Sequence, residues 1–309
     1  MLRSLSNWGF TTPLVLSAAC WGLATVMSKG VLEHVPPVTL LVVQLAVSVA
    51  FLWAIVAIQR LRLPLNRETF RLGLMGVLNP GFAYTFSLLG LTLIAASMST
   101  LIWAIEPILI LGLAWLILCE RLTRPLVALS ILAILGVVFV AGIDVEAGIN
   151  SSLLGNLLTL AGVGCCALYT VLTRRVVARL NPALLVALQH TFALVWTLMI
   201  WPIELLRGDR ASLATVSPSI WALVVASGIV YYGLAFWFYN TGLKKTPASL
   251  AGQFLNLIPI FGVGGAYIFL GERLAVLQWL GAVLILTAVV STFRLHGVEA
   301  VLAHSGTSN

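Results

Sequence analysis

The sequence predicts an all-α integral membrane protein in which ten transmembrane helices form two inverted five-helix repeats around a central cavity. Three observations predict this fold: the composition, a series of long apolar runs and an internal repeat. Of the 309 residues, 61% are hydrophobic and 9% are charged, whereas globular proteins carry about 25% charged residues. We therefore expect the chain to fold in a lipid bilayer.

Ten apolar runs follow one another along the chain, and each could cross the ~30 Å hydrocarbon core of a bilayer as a helix. The first run is too long for the apolar region of a signal peptide, and no convincing cleavage site follows it, so we expect it to remain as the first helix. Residues 294–309 are polar and are predicted to form a disordered cytoplasmic tail. The runs are 12–32, 37–58, 71–92, 95–118, 125–143, 153–173, 182–203, 219–243, 247–270 and 275–293.

The distribution of basic residues predicts the orientation of these helices. If the N-terminus is cytoplasmic, thirteen Lys and Arg residues lie in cytoplasmic segments, and four (Lys29, Arg207, Arg210 and Arg273) lie outside. The positive-inside rule therefore places both termini in the cytoplasm. This bias also accounts for the net charge of +7, so we expect no nucleic-acid partner.

The four cysteines fall within or at the edge of apolar runs: Cys20, Cys119, Cys165 and Cys166. Because no paired thiols are available outside the membrane, neither a disulfide framework nor a zinc site is expected. We expect neither a metal nor an organic cofactor.

The two halves of the chain resemble each other at a nearly constant offset. A shift of 145 residues aligns the first two helices of each half, and a shift of 152 aligns the next three. Aligned positions are Lys29 with Arg174, Pro37 with Pro182, Gln44 with Gln189, Gly81 with Gly233, Gly90 with Gly242, Ala96 with Ala248, Pro107 with Pro259, Gly112 with Gly264 and Glu120 with Glu272. Because each copy contains an odd number of helices, the second copy enters the membrane upside down. We predict a first repeat at 1–143 and an inverted second repeat at 153–293.

Each half closes with a short signature, CERL at 119–122 and GERL at 271–274, followed by an apolar helix such as LQWLGAVLILTAVV at 277–290. In these features the chain resembles the EamA-type family of the drug/metabolite transporter superfamily over residues 12–293, and most closely the bacterial exporters of amino acids, including aromatic ones. The resemblance implies a secondary transporter in the bacterial inner membrane, with its site between two inverted halves. The first signature departs from the usual glycine–glutamate pair because Cys119 precedes the glutamate.

Glu106 is an ionisable residue about 16 Å along a helix that starts at Ala95, close to the middle of the bilayer. In the functional interpretation it binds a substrate ammonium or carries a proton coupled to transport. In the structural interpretation, a protonated Glu106 satisfies a backbone group freed by Pro107. The repeat mate Pro259 follows Ile258 rather than an acid, so a proline kink does not require a glutamate.

Polar residues form one stripe on each of two symmetry-related helices. Ser99, Trp103 and Glu106 share a face of helix 4, and the second stripe on helix 9 contains Gln253 and Asn256. The two stripes predict two walls of one cavity with different chemistry, although hydrogen bonding between packed helices would also explain them.

Aromatic residues and their neighbours on helices 3 and 8 complete the predicted substrate site. Rings there could hold an apolar group or attract an ammonium through cation–π contacts, although such residues also form interfacial belts. We select Asn79, Tyr84, Tyr232 and Trp237; the family's central helices add Tyr169 and Trp21. His190 is expected to be a packing residue. Five residues are predicted as places where central helices bend during gating: Pro80, Pro107, Pro259, Gly228 and Gly233.

These expectations together describe a carrier of amino acids or similar small amphipathic metabolites that works by alternating access. Its expected partners are a small-molecule substrate, the bilayer and coupled protons at Glu106, and no obligate protein partner is evident. Broad drug efflux and metabolite uptake remain alternatives with the same fold, followed by a lipid flippase. A membrane enzyme is disfavoured because no HExxH or GxSxG motif and no paired membrane histidines or aspartates occur.

Overall fold

The structure is a computed structural model that describes residues 8–29, 31–32, 34–64, 66–94, 96–141, 152–206, 216–270 and 276–305. All regular secondary structure in these ranges is helical, which confirms the all-α part of the prediction. The second signature at 271–274, with Glu272 and Arg273, lies outside the described residues.

Ten helical elements follow one another in the described chain, and we number them in that order. Two of them are interrupted: α4 has two segments and α9 has three. The elements are α1 (Trp8–Lys29), α2 (Pro37–Ile58), α3 (Arg67–Leu91), α4 (Ala96–Trp103 and Glu106–Leu118), α5 (Arg124–Ala141), α6 (Leu153–Val176), α7 (Pro182–Leu206), α8 (Pro218–Leu243), α9 (Ala248–Gln253, Phe254–Leu257 and Ile258–Leu270) and α10 (Val276–Ser305).

Within the described residues, five elements are long and apolar enough to cross a membrane: α2, α3, α6, α7 and α8. The other five contain apolar helices of 10–17 residues. The chain is therefore a multi-pass membrane protein by length and composition. The number of ten spans remains a prediction.

Helix starts follow the chemistry of the preceding residues. Asn66 caps α3 by accepting a hydrogen bond from the backbone N–H of Thr69 at 2.8 Å, and Ser152 caps α6 in the same way through Gly155 at 3.3 Å. Helix α2 has a proline in its first turn, where the missing N–H costs nothing because first-turn donors lack intrahelical partners.

One prediction about the end of the chain is not met. We expected disorder from Arg294, but α10 continues as a helix to Ser305. The physical reason is that residues 294–305 contain no proline and include five helix-favouring Leu, Ala and Glu residues among the twelve, so the loss of the apolar run alone does not end the helix.

Four helices depart from regular α geometry. Helix α3 has wide, π-type turns at Val77–Phe82, where Asn79 has non-helical angles of φ −148° and ψ 122°, and α8 has similar turns at Gly228–Leu234. In α4 the helix stops after Trp103 and restarts at Glu106, and α9 tightens into a 3₁₀ turn at Phe254–Leu257. All five residues predicted as hinges lie in or directly after these irregular turns: Pro80, Pro107, Pro259, Gly228 and Gly233.

Packing between the halves is reciprocal. Helix α6 packs on α3 and α4, whereas α1 packs on α8 and α9. Under the sequence offset, α1 corresponds to α6, α3 to α8 and α4 to α9, so each set of contacts is the counterpart of the other. Equivalent helices also pair directly, α2 with α7 and α5 with α10, and α3 packs on α7 as α8 packs on α2.

Two glycines allow the backbones of the two halves to touch. A Cβ at Gly76 on α3 would overlap the backbone of Gln189 on α7. The equivalent Gly228 on α8 faces Gln44 on α2, where a Cβ would lie 2.9 Å from the Gln44 carbonyl oxygen. Small residues at such crossings are how membrane helices approach closely.

The basic segments meet at one end of the bundle. Arg179 after α6 pairs with Glu68 at the start of α3, and Arg175 donates to the carbonyl oxygen of Ile117 near the end of α4. Lys244 after α8 donates to the Leu180 carbonyl oxygen at 3.3 Å. This is the end that the charge distribution predicts to be cytoplasmic.

Candidate functional site

Glu106 lies at the break in α4. It is the first residue of the second segment, with Pro107 directly behind it in the first turn, and it is 9% exposed. No described residue forms a hydrogen bond or an ion pair with its carboxyl group. A buried carboxyl group with no partner from the described protein is available to a ligand or a proton.

A group of aromatic side chains lies next to the first segment of α4, where Trp103 contacts Tyr84, and we call it the aromatic cluster. Tyr84 on α3 is at its centre, with ring centroids 6.0 Å from Trp103, 5.6 Å from Tyr231 and 5.2 Å from Tyr232. The members come from α1, α3, α4, α6 and α8, which are among the helices that the family resemblance placed at the centre. They are Trp21, Tyr84, Trp103, Tyr169, Tyr231, Tyr232, Phe236 and Tyr239.

The break in α4 brings Glu106 to this cluster. The second segment of α4, which begins at Glu106, packs on α6. Trp103, which shares the predicted helix face, ends the first segment of α4 and contacts Tyr84. A buried carboxyl group thus follows three residues after a ring of the aromatic cluster, and this combination is chemically suited to an organic cation.

The polar stripe of α9 lies on the neighbouring wall. Helices α4 and α9 run antiparallel, since Glu120 at the end of α4 contacts Ser249 at the start of α9, and Gly252 faces Ile110. Gln253 and Asn256 are 1% and 2% exposed, and the Asn256 side-chain amide donates to the Gln253 carbonyl oxygen at 3.2 Å.

The remaining predicted site residues are only partly brought together. Asn79 is buried in the irregular turn of α3, and Ser99 is buried on the first segment of α4. Trp237 does not join the aromatic cluster, because its ring stacks on Phe238 at 6.0 Å. The physical reason is helical spacing: Tyr232 and Phe236 are four residues apart and share a face, whereas Trp237 is rotated by about 100°.

The predicted substrate set left out three residues of the aromatic cluster. They are Tyr231, Phe236 and Tyr239 of α8. The i, i+4, i+7 spacing of Tyr232, Phe236 and Tyr239 was the available signal.

Buried polar side chains form a second group beside Phe236, and we call it the polar cluster: Tyr169, Gln189, His190 and Asn240. Tyr169 donates from its hydroxyl to Gln189 Oε1 at 2.8 Å, and Asn240 donates to the Tyr169 hydroxyl at 3.3 Å. His190 Nδ1 is hydrogen-bonded to the Ser48 hydroxyl at 2.9 Å, and its ring lies 4.9 Å from Phe236. His190, expected only to pack, is thus part of a polar network.

Glu120 of the CERL signature has a structural position outside both clusters. Its carboxylate accepts hydrogen bonds from the N–H groups of Ala248 and Ser249 at 2.9 and 3.0 Å, and from the Ser249 hydroxyl at 2.5 Å. Glu204 makes the same kind of contact at the other end, accepting from the N–H groups of Val38 and Thr39 at 2.8 and 2.7 Å. Each carboxylate therefore caps a helix of the other half.

Metal binding has no basis in the described residues, which contain no group of three or more His, Cys, Asp or Glu side chains that could hold an ion.

Comparison with known proteins agrees with this fold. Over 93% of this chain and 99% of the other, a solved crystal structure superposes with a TM-score of 0.76 at 20% sequence identity. The chain is 29% identical over 297 residues to a protein of Escherichia coli named probable amino-acid metabolite efflux pump, covering 93% of this chain and 96% of that one. It is 25% identical over 289 residues to an uncharacterized transporter of Archaeoglobus fulgidus, covering 91% and 97%.

The family assignment rests on both halves of the chain. The sequence model of the EamA-like transporter family matches residues 12–142 and again residues 153–294. The first match corresponds to helices α1–α5 and the second to helices α6–α10. The chain therefore belongs to the EamA-like transporter family.

Proposed function

We propose that this protein is a secondary transporter that exports amino acids or similar small amphipathic metabolites across the bacterial inner membrane by alternating access. The observation that carries the proposal is Glu106, a buried carboxyl group at a helix break beside an aromatic cluster. Family membership supports transport in general. The name of the Escherichia coli relative supports amino-acid metabolites as the substrate class.

In this proposal the substrate ammonium binds between Glu106 and the nearest tyrosine faces. A desolvated cation over an aromatic ring gains about 2 kcal/mol, which adds to its attraction to the carboxylate. Tyr84 and Trp103 hold the apolar part of the substrate. Gln253 and Asn256, which are buried on α9, address its remaining polar groups.

The proposed architecture has ten transmembrane helices in two inverted repeats, residues 1–143 and 153–293, with both termini in the cytoplasm. The reciprocal contacts of α1 and α6, and those of Gly76 and Gly228, support the inverted arrangement, because a two-fold relation between the halves would exchange each contact with its counterpart. The gathering of basic loops at one end supports the orientation.

Alternating access requires that one end opens while the other stays closed. At the basic end, Glu120 joins α4 of the first half to α9 of the second, and at the opposite end Glu204 joins α7 to α2. We assign these two contacts as the closures that are broken in turn. The irregular turns at Pro80, Pro107 and Gly228 supply the bending points.

The test is uptake of a panel of radiolabelled amino acids into liposomes that contain the purified protein, with protein-free liposomes as the control. Saturable uptake of a subset, inhibited by related amino acids, is the expected result. If folded, monodisperse protein takes up no member of the panel, amino acids are not the substrate class.

A Glu106→Gln variant tests the role of the carboxyl group. The substitution keeps the shape but removes the charge and the exchangeable proton, so we expect uptake of cationic and zwitterionic substrates to fall and its pH dependence to flatten. Glu68→Gln, at an exposed ion pair far from the aromatic cluster, is the matched control. Unchanged uptake with unchanged pH dependence in Glu106→Gln would remove the proposed proton coupling.

Broad drug efflux is the second candidate. The aromatic cluster favours it, because π faces beside one carboxylate attract many organic cations without selecting their shape. A panel of structurally unrelated lipophilic cations, offered as competitors of the best amino acid, separates the two candidates. Competition by most of these cations would support drug efflux, and competition only by amino acids would support the narrower function.

A further inference from the structure

The polar cluster lies across one aromatic ring from Tyr84, the centre of the aromatic cluster. The ring of Phe236 lies 6.4 Å from Tyr84 and 4.9 Å from His190 between ring centroids. A ligand held in the aromatic cluster beside Tyr84 would therefore need an apolar part to reach past Phe236 to the polar cluster.

Hydrogen bonding within the cluster has a fixed direction. Asn240 Nδ2 donates to the backbone carbonyl of Phe236 at 2.9 Å and to the Tyr169 hydroxyl at 3.3 Å, so both of its N–H hydrogens are used. The Tyr169 hydroxyl must then donate to Gln189, and the Gln189 atom that it contacts must be the oxygen. The hydrogen bond to the Phe236 carbonyl thus determines which side-chain atoms of Asn240 and Gln189 remain unpaired.

Within the polar cluster, three side-chain atoms have no hydrogen-bond partner: Gln189 Nε2, His190 Nε2 and Asn240 Oδ1. All three residues are 0% exposed. Buried polar atoms in proteins are almost always hydrogen-bonded, since leaving one unpaired carries a large desolvation cost. The unused set comprises one amide donor, one carbonyl acceptor and one imidazole nitrogen, which donates or accepts according to its tautomer.

Packing of the fold does not demand this polarity. Under the sequence offset, Tyr169 corresponds to Ala24, His190 to Leu45 and Asn240 to Leu88. Ala24 and Leu45 are both 0% exposed, so the first half fills these equivalent positions with apolar side chains, whereas the mate of Gln189 is the buried Gln44. Three of the four members of the polar cluster are therefore polar only in the second half.

We propose that the polar cluster recognises a neutral hydroxyl group on the substrate, at the end remote from the ammonium. A hydroxyl donates one hydrogen bond and accepts others, which complements the free Asn240 oxygen and the free Gln189 amide. The ring of Phe236, between Tyr84 and the polar cluster, suits a substrate with an aromatic ring next to that hydroxyl. This inference rests on the proposed function and defines its substrate class more narrowly.

Tyrosine and phenylalanine form the decisive probe pair because they differ by one hydroxyl group. In competition against the best labelled substrate in liposomes, we expect tyrosine to bind about three- to tenfold more tightly than phenylalanine, the factor that one net hydrogen bond supplies. Equal affinities for the two amino acids in the wild-type protein would overturn the proposal and leave the proposed function intact. Failure of every amino acid to compete would contradict the proposed function instead.

Two variants locate the preference, Asn240→Leu and Gln189→Leu, and each places an apolar side chain in the polar cluster. We expect the tyrosine-to-phenylalanine ratio to fall to about one in both, because the partner of the hydroxyl is removed. The matched control is Gln44→Leu, since Gln44 is the repeat mate of Gln189, is equally buried and bonds instead to Ser227 at 2.8 Å. Its ratio should stay at the wild-type value.

An unchanged ratio in both cluster variants would overturn the assignment. If these variants do not elute as folded, monodisperse protein in detergent, Gln189→Met provides the same test with an apolar side chain of similar length and volume. A fall of the ratio in Gln44→Leu as large as in Gln189→Leu would also refute the proposal, because the effect would then be one of stability and not of recognition.

Discussion

Replacing Glu120 with glutamine should destabilise the protein far more than the same replacement at Glu68. The Glu120 carboxylate accepts three hydrogen bonds from the first turn of α9, two of them from N–H groups at 2.9 and 3.0 Å. Glutamine keeps one acceptor oxygen and directs an NH₂ group toward the same donors. Hydrogen bonds to a charged group contribute about 1.5–3 kcal/mol each, and a negative charge at a helix N-terminus adds about 0.3–1 kcal/mol. Since one acceptor remains, we expect a loss of about 2–3 kcal/mol.

Glu68 is the matched control because its ion pair with Arg179 is exposed. The side chain of Arg179 is 58% exposed and that of Glu68 is 50% exposed. Such surface pairs contribute about 0–1 kcal/mol. The assay is thermal unfolding of both variants in the same detergent, followed by tryptophan fluorescence. With a shift of about 2–4 °C per kcal/mol, Tm should fall by roughly 4–10 °C for Glu120→Gln. Equal shifts for the two variants would show that the cap on α9 does not stabilise the fold.

Three further outcomes are expected from the same thermal assay. Cys119 ends α4 in the left-handed region at φ 56°, where glycine is favoured by about 1 kcal/mol, so Cys119→Gly should raise Tm; a lower Tm would contradict this. Gly76→Ala should lower Tm strongly because its Cβ would overlap the α7 backbone, whereas Gly112→Ala, with no atom within 4 Å of the added Cβ, should be neutral or stabilising; similar effects would refute the packing argument. Glu204→Gln should lower the free energy of unfolding by about 2–3 kcal/mol, as at Glu120, since it removes the same kind of cap from α2. A fall in Tm of less than about 2 °C would contradict that assignment.

The signature with Glu120 illustrates how sequence and structure contribute differently. The CERL and GERL signatures marked equivalent positions at helix ends in both halves. The sequence did not indicate that the carboxylate of one half caps a helix of the other, because Glu120 and Ser249 are separated by 129 residues. Local patterns carry no information about which distant N–H groups lack partners.

The candidate site also shows that sequence and structure contribute different information. Glu106 and the aromatic stripe of α8 were visible as unusual residues and helical spacings, and Trp21, Tyr84, Trp103, Tyr169 and Tyr232 do lie in one cluster. Trp237 was selected for its residue type alone and faces Phe238 instead. His190 looked like a packing residue because its partner Ser48 belongs to another helix, 142 positions away.

By itself the sequence determined that this is a helical membrane protein of two similar halves, because composition, apolar run length and a constant offset are properties of the linear chain. It also marked Glu106 as exceptional, since a carboxyl group in an apolar run has a solvation cost wherever the run folds. Only the tertiary structure decided which side chains surround Glu106, where the polar cluster forms and which helices the two carboxylates cap. Those contacts depend on the crossing of helices far apart in sequence, and small residues such as Gly76 set how closely they approach.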